Sequence, residues 1–193
     1  TDGSIDRPYE IENIADLMAI NEDPSKHYVL ANNISLASVS DWTPLDVLTG
    51  TLNGYNERRK SDNEDDSTNQ IAGSRYAITN LRIGSVRSEN VGLFKGISKG
   101  NSTYGAVLNL SLGVAGIRLI NPDTKGINGV NIGTIAGFVN DGGLIYNCSV
   151  TVNALQVTGL KINANVGGMV GQNGGAIYNF ANSYGNATIN FKE

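Results

Sequence analysis

Cysteine, histidine and proline are scarce in this chain, and each shortage removes a class of protein. The 193 residues include one cysteine, one histidine and four prolines. A single cysteine, Cys148, excludes an intramolecular disulfide framework and any multi-cysteine metal site. The lone His27 has no second histidine or cysteine near it in sequence, so we interpret it as a surface or strand-edge residue. The sequence therefore predicts no metal and no cofactor.

Charge and long apolar runs are also in short supply. Charged residues make up 17% of the chain, with a net charge of -4, against about 25% charged residues in typical globular proteins. The basic residues are scattered singly, so no basic stripe could follow a phosphate backbone, and nucleic acid is not an expected partner. No apolar run reaches the roughly 18 residues of a membrane-spanning helix. We expect a soluble chain that does not span a membrane and from which a signal segment has already been removed.

Glycine and asparagine, in contrast, are abundant, with 24 and 25 residues respectively. Glycine costs about 1 kcal/mol at an interior helix position, so a mainly helical fold is excluded. The length favours a single domain that spans residues 1–193 and buries a substantial core.

Much of the glycine and asparagine falls into an internal repeat. Three segments, 91–96, 132–137 and 166–171, each read as a thin apolar strand with glycines four apart. Each is followed by a second element with an asparagine at its third position, at 107–110, 145–148 and 177–180. A fourth copy of this second element lies at 78–81. The first elements begin 41 and 34 residues apart.

The asparagines of the second elements predict corners. Apolar residues two positions before and one position after the asparagine cannot both face inward on one uninterrupted strand. Asparagine tolerates the left-handed conformation of a sharp bend, so each one marks a turn from one sheet to the next. Repeated corners predict a β-solenoid in which equivalent residues lie about 4.8 Å apart, so that the asparagines stack into a ladder. This ladder would contain Asn80, Asn109, Asn147 and Asn179.

The same alignment places Cys148 in the inward position of Leu81, Leu110 and Phe180, where it behaves as a small buried hydrophobe. Periods of 34 and 41 residues fit one coil with protruding loops, which we prefer, or a pair of coils. Segments 100–105 and 121–129 are interpreted as such loops. Segment 153–165 alternates apolar and polar residues and is interpreted as an extra hairpin.

Residues 1–56 differ from the repeats and form an N-terminal cap and first coil. Asn13 followed by Asp16 is an N-cap signal, and Ile14, Leu17 and Met18 recur at helical spacing, which predicts a helix over 13–21. Such a helix would cover the exposed end of the first coil. A strand is predicted at 27–36 and a mobile charged loop at 57–75, before the coils of residues 76–193. The predicted fold is all-β, a right-handed single-stranded parallel β-helix of four or five coils with a short N-terminal capping helix.

Residues 166–185 resemble the GLUG motif, a repeat of bacterial surface proteins and of non-catalytic regions of bacterial immunoglobulin-A peptidases. Residues 132–149 are a second match and residues 91–112 a degenerate one. The order of elements before them is also similar to the N-terminal part of such proteins, except for the charged insertion after residues 50–54. The resemblance implies a secreted or surface-attached bacterial protein with an adhesive or scaffolding role, and it names no ligand.

An enzyme is the rival interpretation, because parallel β-helices include polysaccharide lyases and hydrolases that use clustered carboxylates. Fourteen of the 18 acidic residues lie in the first 66 positions, and only Glu89, Asp123 and Asp141 lie between 67 and 192. Within the charged loop, Asp62, Glu64 and Asp66 alternate as calcium ligands do but lack the turn glycine and distal glutamate of an EF-hand. We therefore favour a non-catalytic protein, although N-terminal acids from different coils could still meet in space.

The candidate ligand-binding residues are Tyr146 and Tyr178, which occupy the same outward position in two repeats. Exposed aromatic rings pack against sugar rings or partner side chains, whereas a tyrosine ladder that only stabilises the sheet is the alternative. Trp42 is expected to pack beside the capping helix. The predicted function is an extracellular or cell-surface adhesion or ligand-binding module whose partner is a host or matrix glycan or protein. A passive spacer or stalk of a larger surface protein and a polysaccharide lyase or hydrolase are the alternatives.

Overall fold

The computed structural model describes residues 1–57, 74–178 and 183–190, and the last of these ranges by its backbone alone. Strands account for 47% of the chain and helices for little, so the all-β prediction is confirmed. The helices are α1 (Ile14–Met18) and a 3₁₀ helix that continues it (Ala19–Glu22). The loop predicted at 57–75 lies almost wholly at residues 58–73, outside the described residues.

The strands of the described residues are short at first and lengthen along the chain. They are β1 (Tyr9–Ile11), β2 (His27–Leu30), β3 (Ile34–Ser35), β4 (Thr51–Asn53), β5 (Tyr55–Asn56), β6 (Ser74–Arg75), β7 (Ala77–Ile83), β8 (Asn90–Val91), β9 (Phe94–Ile97), β10 (Ala106–Leu108), β11 (Ser111–Ile120), β12 (Gly129–Ile132), β13 (Ala136–Val139), β14 (Leu144–Tyr146), β15 (Ser149–Thr158), β16 (Asn163–Val166), β17 (Val170–Asn173), β18 (Ala176–Tyr178) and β19 (Ser183–Asn190).

Four parallel sheets contain all of these strands except β5 and β6, which pair antiparallel. Sheet I has the order β1-β2-β4-β10-β14-β18, and sheet II has the order β19-β15-β11-β7-β3. Sheet III has the order β16-β12-β8, and sheet IV has the order β17-β13-β9.

From β7 onward the chain visits sheets II, III, IV and I in the same order each time, and we call one such passage a round. Each strand pairs with the equivalent strand of the next round. Ile132 lies opposite Val91 on one side and opposite Val166 on the other. The 41-residue and 34-residue repeats of the sequence are therefore the register offsets between rounds, and each repeat forms one round, as preferred from the sequence.

The glycine segments were predicted as single thin strands, and this was wrong. Each is a corner between sheets III and IV: Val91 ends β8 and Phe94 begins β9, with Gly92 between them. At the equivalent corner of the next round, a Cβ on Gly133 would lie 2.2 Å from the carbonyl oxygen of Ala136. Backbones approach so closely here that only glycine fits, and the chain bends where a thin strand was expected.

The inward side chains of the four sheets form one apolar cluster. In β11, Leu112, Val114 and Leu119 are buried, while Arg118 and Ile120 face solvent. Alternating burial of this kind is typical of strands with one face on a core. The core is therefore continuous from one round to the next along the stack of strands.

The capping helix is present and contributes to this core. Asn13 Oδ1 accepts a hydrogen bond from the Asp16 amide at 3.1 Å, so the predicted N-cap is confirmed. Leu17 and Ile20 are buried within the core cluster, because residues three apart share a helix face. Met18 was predicted on that face and is 54% exposed instead, since it lies one residue further round the helix.

Two other element predictions were wrong. The strand predicted over 27–36 is divided into β2 and β3, because the chain passes from sheet I to sheet II between them. The extra hairpin at 153–165 is absent: β15 runs unbroken through Ser149–Thr158 and pairs in parallel with β11 and β19. Alternation of apolar and polar residues fits one long half-buried strand as well as two short ones. The loops predicted at 100–105 and 121–129 do connect strands at the surface.

Candidate functional site

The predicted asparagine corners are confirmed in their backbone conformation. Asn80, Asn109 and Asn147 have φ angles of 63°, 51° and 52°, in the left-handed region. Asn179 lies outside the described residues. Asn121, which was not predicted as a corner, has a φ of 44°. The corners matter for function because they fix the direction in which each neighbouring side chain points.

The predicted asparagine ladder exists with a different first member. Asn147 Nδ2 donates to Asn109 Oδ1 at 2.7 Å, and Asn109 Nδ2 donates to Asn53 Oδ1 at 3.0 Å. Asn80 was predicted in this ladder and is not part of it. It lies within β7 of sheet II and donates to Ser35 Oγ at 3.0 Å, whereas Asn109 and Asn147 follow strands of sheet I.

A second ladder was missed by the sequence reasoning. Asn131 Nδ2 donates to Asn90 Oδ1 at 2.9 Å, and Asn165 Nδ2 donates to Asn131 Oδ1 at 2.8 Å. These residues pair in register on β8, β12 and β16. The signal was present, because each asparagine directly precedes the apolar residue and glycine that open a repeat.

We expect Asn109→Ala to lower the free energy of unfolding by about 2 to 3 kcal/mol, since it removes two ladder hydrogen bonds and places alanine in a left-handed conformation. Asn109→Gly is the matched variant, because it loses the ladder but keeps the conformational freedom. Its loss should be smaller by about 1 kcal/mol. Urea unfolding followed by circular dichroism measures both losses, and equal losses would show that the corner conformation contributes nothing.

The structure brings the two candidate tyrosines together. Tyr146 ends β14 and Tyr178 ends β18, and the two lie directly opposite each other in sheet I. Their exposed fractions are 44% and 58%. Leu108 occupies the same register position one round earlier, and Leu144 pairs with Ala176 on the same side of the sheet. We call this outward apolar surface, made of Leu108, Leu144, Tyr146, Ala176 and Tyr178, the tyrosine face.

A second surface feature was not predicted from the sequence. A groove of about 830 Å³ lies where the chain turns from sheet II to sheet III. We call it the corner groove, and it is lined by Asn121, Ile127, Asn128, Gly159, Leu160, Lys161, Ile162 and Asn163. It forms because β11 and β12 are joined by residues 121–128, whereas the next round makes the same turn with residues 159–162. The longer loop projects beyond the shorter one and leaves a step.

His27 and Trp42 occupy structural positions. His27 begins β2, and its Nδ1 lies 3.0 Å from Thr51 Oγ1 on the neighbouring strand. Burial, with a smaller contribution from Lys26, lowers the pKa of His27 below its usual range, so the ring is neutral at pH 7. Trp42 is buried, and its Nε1 donates to the carbonyl oxygen of Leu93 at 3.1 Å.

Asp41 has the most heavily hydrogen-bonded carboxylate of the described residues. It accepts from the Gly84 amide at 2.8 Å, from Ser85 Oγ at 2.7 Å and from Arg87 Nη2 at 2.8 Å. Burial alone would raise the pKa of Asp41, but these three donors and the charge of Arg87 outweigh it and hold the pKa below its usual range. Asp41 thus ties the segment after β7 to the N-terminal part of the chain.

Cys148 is buried, as predicted, and its Sγ lies 3.4 Å from the carbonyl oxygens of Val107 and Tyr146. Burial raises the pKa of this thiol to about 11, so little thiolate exists at pH 8. We expect the native thiol to react with a disulfide reagent at least about 100-fold more slowly than the thiol of the unfolded chain. Absorbance of the released aromatic thiolate in buffer and in guanidinium measures the two rates, and similar rates would contradict the buried position.

Among the described residues, no three histidine, cysteine, aspartate or glutamate side chains are grouped as a metal site would require. The helices in the described ranges are also too short or too polar to cross a bilayer. Of the acids that follow the charged loop, Asp141 lies 3.6 Å from Lys99 Nζ, Glu89 lies beside Asn131, and Asp123 lies in the loop next to the corner groove.

These features define an all-β chain of parallel sheets whose rounds repeat at nearly constant length. Halomucin of Haloquadratum walsbyi, a surface protein, is 32% identical to it over 172 residues, which cover 88% of this chain and 2% of Halomucin. The chain therefore spans about 2% of the length of the curated relative that it matches. No family model matches the chain, and no solved structure matches it. The likeness is consistent with a cell-surface protein in general.

Proposed function

We propose that this chain is a non-catalytic, extracellular adhesion or ligand-binding module of a cell-surface protein, built as a right-handed parallel β-helix. In this proposal each round is one coil, and sheets I to IV are the faces of the helix. The parallel registers between successive rounds and the core they share support this architecture. The right hand follows from the near-universal handedness of parallel crossover connections. The GLUG resemblance and the likeness to Halomucin support a location at the cell surface.

The observation that carries the proposal is the pair of exposed tyrosines on the tyrosine face. Adjacent strands of a sheet lie about 4.8 Å apart, so Tyr146 and Tyr178 offer two neighbouring rings on one surface. A tyrosine ring supplies apolar area, and its hydroxyl supplies a hydrogen bond, which suits the mixed surface of a sugar or a protein side chain. Exposed apolar surface of this kind on a rigid sheet is typical of an interaction site.

The positions of the acidic residues favour binding over catalysis. Asp41 is saturated by three donors, and Asp46 forms an ion pair with Lys95. An acid-base mechanism needs a carboxyl group that is free to exchange a proton with the substrate. The lyase or hydrolase alternative thus draws no support from these two carboxylates.

A passive spacer is the second candidate, and the two asparagine ladders favour it. They link successive rounds by side-chain hydrogen bonds of 2.7 to 3.0 Å along two separate corners. Ladders of this kind stiffen the stack of rounds without presenting anything to a partner. In the spacer interpretation, Tyr146 and Tyr178 serve only to stabilise sheet I.

A combined glycan array and matrix-protein panel separates the adhesion module from the spacer. The probes are the unmodified chain, the double variant Tyr146→Ala/Tyr178→Ala, and Tyr104→Ala as the control. Tyr104 is 72% exposed but belongs to the loop before β10 and not to the tyrosine face. We expect at least one ligand whose binding falls about tenfold or more in the double variant and is unchanged in the control. Binding that the double variant retains in full, or no binding by any probe, would favour the spacer.

A further inference from the structure

We infer that the corner groove binds an oligosaccharide that carries carboxylate groups, such as a chain containing hexuronic acid. This inference goes beyond the tyrosine face, because the two sites lie at opposite ends of sheet II. Tyr146 precedes β15, and the groove residues 159–163 follow it. The ten residues of β15 span about 30 Å at the rise of an extended strand. A ligand in the groove therefore makes no use of Tyr146 or Tyr178.

The wall of the groove is built by a close contact between two rounds. Gly159 has a φ of +67°, and a Cβ added to it would lie 1.9 Å from Asn121 Oδ1. The Asn121 side chain thus lies directly over the glycine, and the Asn121 amide donates to the carbonyl oxygen of Thr158 at 2.9 Å. Both residues are held by the end of sheet II, so this part of the groove is formed before any ligand arrives.

The lining combines an aliphatic floor with an amide rim. Leu160 is buried, and Ile127 and Ile162 are partly buried against the core. The exposed rim side chains include those of Asn121, Asn128 and Asn163. An amide has both donors and acceptors, as a sugar hydroxyl does, so a rim of amides complements a row of hydroxyl groups. The aliphatic floor suits the C–H faces of a sugar ring, and about 830 Å³ falls within the usual size of ligand sites.

Two lysines add charge complementarity. Lys161 lines the corner groove and also an adjoining depression of about 410 Å³ that contains Lys125. Within the described ranges, neither ammonium group forms an ion pair. Asp123 shares the adjoining depression, and Glu89 lies in a further depression of about 480 Å³ on the other side. Lys161 therefore lies at the centre of the groove, where it can donate to a ligand carboxylate.

The rim composition favours a sugar over a peptide or a nucleic acid. Two lysines beside two acids do not provide the basic stripe that a phosphate backbone requires. The groove also presents side-chain amides and not a free strand edge, to which an extended peptide would add. A neutral sugar would leave Lys161 without a partner, so we assign the carboxylate to the ligand.

Isothermal titration calorimetry with defined oligosaccharides tests the inference. The acidic probe is a hexasaccharide of alternating glucuronic acid and N-acetylglucosamine, and the neutral probe is the hexamer of N-acetylglucosamine. We expect the acidic probe to bind the unmodified chain and the neutral probe to bind at least about tenfold more weakly. Lys161→Met should weaken binding of the acidic probe about tenfold, and Lys161→Arg should largely retain it. Lys99→Met is the control of equal charge change, because Lys99 pairs with Asp141 outside the groove.

Three further results would overturn the inference: no binding of the acidic probe, equal weakening by Lys99→Met and Lys161→Met, or equal binding of a hexaglutamate peptide. The double variant Tyr146→Ala/Tyr178→Ala separates this site from the proposed adhesion surface. It should bind the acidic probe as the unmodified chain does, so the groove can fail while the tyrosine face succeeds, or the reverse. A loss of binding in this variant would place the acidic sugar on the tyrosine face and overturn the groove as its site.

Discussion

Phe94→Ala is expected to lower the free energy of unfolding by about 3 to 5 kcal/mol, because it removes a large ring from the centre of the core. Phe94 heads the largest fully buried side chains of the core. It begins β9, lies opposite Ala136 of the next round, and forms a bridge with Leu45 of the preceding segment. Its ring thus fills the core between three successive passages of the chain, and a methyl group in its place leaves a cavity that the sheets cannot close.

Urea unfolding measures this loss, with two comparison variants. Phe94→Leu retains most of the buried volume, and its loss should stay below about 1.5 kcal/mol. Tyr104→Ala removes an aromatic ring that is 72% exposed and should change stability by no more than about 0.5 kcal/mol. A Phe94→Ala loss no larger than that of Tyr104→Ala would contradict the buried position of the ring.

Gly133→Ala is expected to cost about 3 kcal/mol, although it adds a single methyl group. A Cβ at this corner would lie 2.2 Å from the Ala136 oxygen and 2.7 Å from the Met169 oxygen. Both contacts are to backbone, so no side chain can rotate away. The substitution must instead push apart the rounds that meet at this corner, and it disturbs hydrogen bonds such as that from the Gly133 amide to the Val91 oxygen at 2.9 Å.

Gly129→Ala is the matched control for this effect. Gly129 begins β12 in the same round, and its nearest contact to an added Cβ is the Asn163 oxygen at 3.6 Å, an ordinary van der Waals distance. Alanine there should be neutral or stabilise the protein by a few tenths of a kcal/mol, since it restricts the unfolded chain. Thermal melting of both variants gives the comparison, and equal melting temperatures would show that the corner tolerates a side chain.

The repeats and the asparagine corners were predictable because they depend on local properties. The alignment of residues 91, 132 and 166 required only the spacing of glycines and apolar residues, and the same residues pair in the sheets. The left-handed conformation of Asn109 and Asn147 followed from a phase break that the sequence displays. Both inferences concern a few consecutive residues, and no knowledge of distant neighbours was needed.

Features that depend on neighbouring rounds were not predictable in the same way. Asn80 matches the ladder asparagines in sequence, but it lies on a different sheet, so Ser35 and not Asn109 is its partner. The glycine corners arise from close approach of backbones that are 30 or more residues apart. Alternation in residues 149–158 fits a hairpin or a long strand, and only pairing with β11 decides between them.

The candidate sites divide along the same line. The tyrosine pair was found because both residues hold the same position in the repeat. The corner groove was missed because it depends on the difference between two loops and not on any motif. The signal that could have revealed it is the change in repeat length from 41 to 34 residues, since a shorter round beside a longer one leaves a step.

The tolerance of the registers to that change in length has an evolutionary consequence. Rounds of different lengths pair at the same residues, so insertions between β11 and β12 are absorbed at the surface while Ile132 keeps its neighbours. Selection can therefore act on recognition and on stability through separate sets of residues. Lengthening or shortening a loop would create a new surface in one mutational step, and copying a whole round would add another place where such a surface can arise.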